Sequence, residues 1–152
     1  MNQSDYLAKH LTELLHDLES VEESLPYHPE ENTMQHSLQA FDIALKSSDK
    51  VDLIAAALLH DIGKARAQAE HAAIGADLLR GVMPETTVWF VEHHMDLHYQ
   101  PRRTRHQLKG TQQLIDLEQL RQWDLKARVP GVLSSSVEYA AAYVCENIRT
   151  AE

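Results

Sequence analysis

The stretch Ala55 to Lys64, reading AAALLHDIGK, constrains this chain more than any other. From Val51 through Ile54, Leu58 and Leu59 the run is apolar nearly all round, which a helix tolerates only when it is central and buried. At its end come an adjacent imidazole and carboxylate, His60 and Asp61, followed by Ile62-Gly63, which should turn the backbone and stop the helix, and then by Lys64. Neighbouring side chains on a helix diverge by about 100°, but at a fraying last turn both can reach one bound ion. A carboxylate buried there needs a compensating cation, either a metal or an ion-pair partner such as Lys64 or an arginine.

The remaining chain reads as helices on either side of this one. Leu7, Leu11, Leu14, Leu15, Leu18 and Val21 recur at helical spacing, so residues 1–24 form an N-terminal packing helix, with Ser4 its expected cap. Pro26 and Pro29 break the chain into a loop whose Tyr27 and Glu30 either line a site or face water. Asn32 or Thr33 caps a second helix carrying His36 in its first turns, and the central helix is expected to start near Ser48 or Asp49. A helix from about Gln68 to Arg80 bears His71, with Gly75 one turn further along the same side, where a missing side chain permits close contact. Pro84 opens another helix that ends on His93 and His94. Residues 95–109 read as a polar loop holding His98, Arg102 and Arg103, the one basic cluster in the chain. Leu114 to Trp123 resume helical periodicity up to Asp124, which Arg128, four residues on, can pair with. Val129-Pro130-Gly131 breaks the chain before a last helix in 134–150. With no strand pattern or repeat, the class is all-α: one domain over 1–152, its motif-bearing core at about 33–131.

A formal charge of -9 argues against bulk nucleic-acid or anionic-membrane binding, while leaving room for a local phosphate pocket. The start of the chain lacks a signal-peptide pattern and no run is long enough to span a bilayer, so a cytoplasmic location is expected. The single cysteine, Cys145, lies in an apolar helical stretch and reads as a core thiol. Ten histidines are a dense supply of the commonest metal ligand; His10, His16 and His28 read as solvated. His36, His60, Asp61, His71, His93 or His94, and Asp124 together form a nitrogen and oxygen donor set without thiolate. Such a set suits Mn, Fe, Co, Ni, Mg or Zn, one or two ions, and Asp61 can bridge a pair.

The order His36, His60-Asp61, His71, His94, Asp124 resembles the HD-domain superfamily, over roughly Met34 to Gly131. The resemblance implies a helical bundle with the metal site between core helices. It implies one ion on His36, His60, Asp61 and Asp124, and a second on His71 and His94, with His93 as the alternative. Most members are phosphohydrolases, so a metal-dependent hydrolase of a nucleotide or other small phosphate ester is expected. Asp61 and Lys64 would be catalytic, and Lys64, Arg128, Arg102 or Arg103 would grip phosphate oxygens. A second reading is similarity to the di-iron HD oxygenases that cleave organophosphonates or polyol-like substrates with O2, which would make iron the cofactor. Tyr27 and Glu30 ahead of His36, the interval from His71 to His94, and the run LRQWDLKARVPG point to it; Lys64, where those enzymes tend to carry histidine, and the missing glycine-containing segment before Asp124 point away. The third reading is a non-catalytic regulatory HD module.

Overall fold

The structure, a computed structural model, describes residues 2–22 and 32–148. Tyr27 and Glu30, with most of the loop expected around Pro26 and Pro29, lie outside the described residues. Among the described residues the regular structure is helical, with two isolated bridges in place of strands.

The first helix, α1, spans Gln3–His16. Its cap is Asn2, not Ser4: the Asn2 side chain accepts from the Asp5 amide at 2.9 Å while Asp5 reaches back to the Asn2 amide, so Ser4 falls inside the first turn. Leu11, Leu14 and Leu15 are its buried face, and they pack it against the last helix. A 3-10 turn, Asp17–Ser20, then buries Leu18. The second helix, α2, spans Thr33–Ser47 and is capped by Asn32 through the same reciprocal arrangement with Gln35. The central helix, α3, spans Val51–Leu59; Ser48 accepts from the Lys50 amide and holds the preceding turn, so the helix starts at Val51, slightly later than the cap residues suggested. Every residue from Leu53 to Leu59 is buried, and α3 packs on α2 and on three later helices. This is the position its all-round hydrophobicity requires.

Beyond a 3-10 turn at Ile62–Ala65, helix α4 spans His71–Leu79. It begins three residues later than the expected Gln68, because Glu70 takes a left-handed conformation with φ 59° and no helix can pass through it. Gly81, with φ 78°, ends the segment as expected. Helix α5 spans Glu85–His93 behind Pro84. Residues 95–109, expected as a loop, are largely helical: α6 is Asp96–Tyr99 and α7 is Pro101–Gln107. Two buried side chains, Leu97 and Thr104, anchor them, and the Thr104 hydroxyl donates to the Asp96 carbonyl at 3.3 Å. Pro101 at the first helical position supplies the start that an absent apolar periodicity could not announce. Helix α8, Gln112–Lys126, is capped by Thr111, and α9, Val137–Asn147, by Ser136. Cys145 is buried on α9, and burial pushes its thiol up to about 11, as fits a core thiol.

Candidate metal centre

The donors sit at helix ends, where backbone geometry is released from the helical repeat. His36 lies in the first turn of α2, His60 closes α3, His71 opens α4, His94 closes α5, and Asp124 is in the last turn of α8. Asp61 has φ -104° and ψ 6°, outside the helix, and this turn lets its carboxylate and the His60 ring aim at one point despite being adjacent. All six are buried, the least shielded, His71, being 7% exposed.

Each ring is oriented by a backbone carbonyl. His60 Nδ1 donates to Ala57 O at 2.8 Å, His71 Nδ1 to Gln68 O at 3.0 Å, His94 Nδ1 to Val91 O at 2.7 Å, and His36 Nδ1 to Ala127 O at 2.6 Å. A carbonyl only accepts, so the proton is on Nδ1 and all four Nε2 lone pairs face inward. There they meet carboxylate oxygens, which also only accept. His36 Nε2 is 2.9 Å from Asp124 Oδ1 and 3.6 Å from Asp61 Oδ2; His60 Nε2 is 3.2 Å from Asp61 Oδ2 and 3.3 Å from Asp124 Oδ1. On the opposite side, Asp61 Oδ1 is 3.4 Å from His71 Nε2 and 3.6 Å from His94 Nε2, and these two nitrogens face each other at 3.2 Å. The donors therefore divide into two groups, His36-His60-Asp61-Asp124 and Asp61-His71-His94, joined by the two oxygens of Asp61.

This arrangement fits divalent cations. His60 Nε2 is fully buried with no hydrogen-bond partner, although carboxylate oxygens stand close by. Lone pairs facing lone pairs repel unless a proton or a cation lies between them. Bonds of about 2.0–2.2 Å to one ion would put neighbouring donors about 2.9–3.6 Å apart, the spread observed. Without a cation, protons serve. Burial works against charge on the His60 ring, but Asp61 and Asp124 outweigh it and hold its pKa well above the ordinary imidazole range. Burial likewise opposes the charge on Asp61 and Asp124, yet His60 and the other rings hold both carboxyls well below their usual range. His94, where burial dominates, is lowered and stays neutral.

Cationic side chains border the carboxylates. Lys64 Nζ lies 3.5 Å from Asp61 Oδ2, and Arg128 Nη2 lies 3.7 Å from Asp124 Oδ1, so the pairings open to these residues in the sequence coexist with the donor cluster. Arg121, which sequence reasoning missed, lies one helical turn before Asp124, with Nη1 3.6 Å from Asp124 Oδ2 and Nη2 3.1 Å from His98 Nδ1. The signal available for it was the three-residue interval to Asp124. His98 is exposed and reaches the site through Arg121. Arg102 and Arg103 are exposed on α7, outside the cluster. His93 is also outside: its ring lies 4.4 Å from that of Trp89 and its Nδ1 is 2.8 Å from Asp96 Oδ2. Unlike at Asp61, the backbone stays helical through His94, with φ -62° and ψ -21°, so the two adjacent histidines diverge by about 100° and His94 is the one that faces the cluster. His10 and His16 are exposed, the latter paired with Glu19 and Glu138, while His28 is outside the described residues.

An all-α bundle with a buried histidine and aspartate centre of this kind defines a helical domain with residues able to hold divalent metal. The chain matches the HD domain family over residues 33–128 and belongs to it, a superfamily of metal-dependent phosphohydrolases whose domains bind divalent metals. It is also similar to the multifunctional CCA protein of Hahella chejuensis (strain KCTC 2396), at 36% identity over 75 residues, 45% of this chain. That match spans 18% of the relative's length, so the likeness concerns a part of that protein. No helix among the described residues is long and apolar enough to cross a membrane.

Proposed function

We propose that this protein hydrolyses a small phosphorylated substrate, a nucleotide or another phosphate ester, with water activated at the His/Asp centre. The observation that carries the reading is the inward aim of four carbonyl-locked imidazoles onto two carboxylates, with His60 Nε2 left unpaired among them. His36, His60, Asp61 and Asp124 would hold one divalent ion, and Asp61, His71 and His94 a second. Such ions lower the pKa of the water they hold and neutralise phosphoryl charge. The protein's own part is positioning and charge. Lys64 from the 3-10 turn, Arg121 from α8 and Arg128 from just beyond it bracket the carboxylates, so a phosphoryl group entering there meets guanidinium and ammonium donors for its non-reacting oxygens. Asp61, ionised well below neutrality, stays an acceptor throughout and orients an attacking water by its hydrogen bond.

Phosphate release from nucleotides and model esters with added Mn2+ or Mg2+, lost on chelation, is the expected result. The paired donor groups sharing Asp61 also suit two irons, which supports oxygenase chemistry as a second reading. Iron-dependent oxygen uptake without phosphate release would shift the assignment to it. Protein that binds no metal and turns over neither substrate class would leave a regulatory module.

A further inference from the structure

Two glycines outside the donor set meet where the two donor groups join. Gly63 lies in the 3-10 turn two residues beyond Asp61, and Gly75 lies on α4, one turn beyond His71. Neither has a left-handed φ, so conformational freedom does not explain them. Space does. A Cβ at Gly63 would overlap the carbonyl oxygen of His71 and stand 2.8 Å from the Gly75 amide nitrogen. Both are backbone atoms, which cannot swing aside as a flexible side chain would. A Cβ at Gly75 would meet Val91 Cγ1 at 3.3 Å, Gly63 N at 3.4 Å and Ile62 Cγ1 at 3.5 Å.

The atoms in this contact belong to the three segments that build the second donor group. Gly63 follows Asp61, the His71 backbone opens α4, and Val91 is the residue whose carbonyl orients His94. The chain also enters α4 through the left-handed Glu70, a strained conformation that persists only where surrounding packing imposes it. The distances from Asp61 Oδ1 to His71 and His94, 3.4 and 3.6 Å, leave little slack, since pushing α4 outward by a side chain's thickness would carry His71 out of reach. The first group, by contrast, is assembled from α2, α3 and α8 and has no member on α4 or α5. An independent sign that the second group awaits a cation is the facing pair of imidazole nitrogens, 3.2 Å apart with both Nδ1 protons already committed to carbonyls.

We propose that the backbone contact of Gly63 with His71 and Gly75 is the spacer that brings His71 and His94 to Asp61, and so decides whether the domain holds two ions or one. Gly63 and Gly75 are positioning residues that supply no donor. The inference rests on reading Asp61, His71 and His94 as a cation site.

The test is Mn2+ titration calorimetry with elemental analysis on the full chain, using His71→Ala as the one-ion reference. Wild type takes two ions. Gly63→Ala takes one, and Gly75→Ala, with its milder contacts, takes two with the second weakened about 10–100-fold. Should Gly63→Ala fail to fold, Gly75→Ala decides alone. A Gly75→Ala protein that binds both ions as tightly as wild type, or weakens both equally, overturns the proposal, because a merely structural role would not single out one site. Wild type holding a single ion also overturns it, while leaving a one-ion hydrolase intact. Two ions without phosphate release from any ester would remove the hydrolase reading and leave this inference standing.

Discussion

Asp61→Asn should uncouple the whole centre from the fold. Asp61 alone reaches both donor groups, with His36 and His60 on one oxygen and His71 and His94 on the other, at 3.2–3.6 Å. An asparagine keeps the shape but offers one weak neutral oxygen, leaving three donors in the first group and two imidazoles in the second. A cation that binds only the folded state stabilises it by about 2.7 kcal/mol when its free concentration is a hundred times its dissociation constant. For a domain of this length each kcal/mol moves the melting temperature by about 2–4 °C, so each bound ion should add about 5–11 °C to wild type between chelator and metal. Asp61→Asn should show almost none of that gain, whereas His71→Ala should keep the part due to the first group. Differential scanning calorimetry in EDTA and then in Mn2+, Fe2+ or Zn2+ reads this directly. A full metal-dependent gain in Asp61→Asn, or its complete loss in His71→Ala, would refute the bridging role.

The remaining expectations follow from the same geometry. In chelator, the raised His60 pKa stabilises the fold below the unfolded imidazole value of about 6.5, and this is lost as pH rises through the folded value. The depressed Asp61 and Asp124 contribute above about 3.9 and are lost as pH falls through theirs, while the lowered His94 costs stability increasingly as pH falls below about 6.5, so metal-free protein should be most stable toward the upper end of the range from about pH 4 to 6.5 by thermal melts. Metal-loaded protein, whose His60 needs no proton, should hold its stability at higher pH; an alkaline loss equal in both forms would contradict this. Arg121→Ala should leave ion content unchanged and lower kcat/KM for a phosphate ester about 10–100-fold, the worth of a charge-assisted hydrogen bond, as steady-state kinetics with elemental analysis would check. His94→Ala should lose an ion, while His93→Ala should keep full ion content and change stability by less than about 1 kcal/mol in urea melts, because its pairing with Asp96 is partly exposed.

How far the chain could be read without its fold differs by residue. The apolar run into His60-Asp61 already implied a buried helix with a compensated charge at its end, since hydrophobic periodicity and desolvation act over a few neighbouring residues. The same local logic located α2 and α8, and it limited the choice at the fifth helix to His93 or His94. It failed at residues 95–107, where two short helices depend on burial of Leu97 and Thr104 rather than on any repeat of their own.

What the amino-acid order determined by itself, then, is the helical class and the kinds of atom available to a cation, because both depend on residue type and short spacing. The tertiary structure supplied the geometry behind what the resemblance had only implied, that His94 faces Asp61 and that the donors from His36 to Asp124 divide into two groups, and it alone decided that Arg121 joins the rim. Those are angles and distances between segments far apart in the chain, and they are set by packing such as Gly63 against His71, which no local pattern contains.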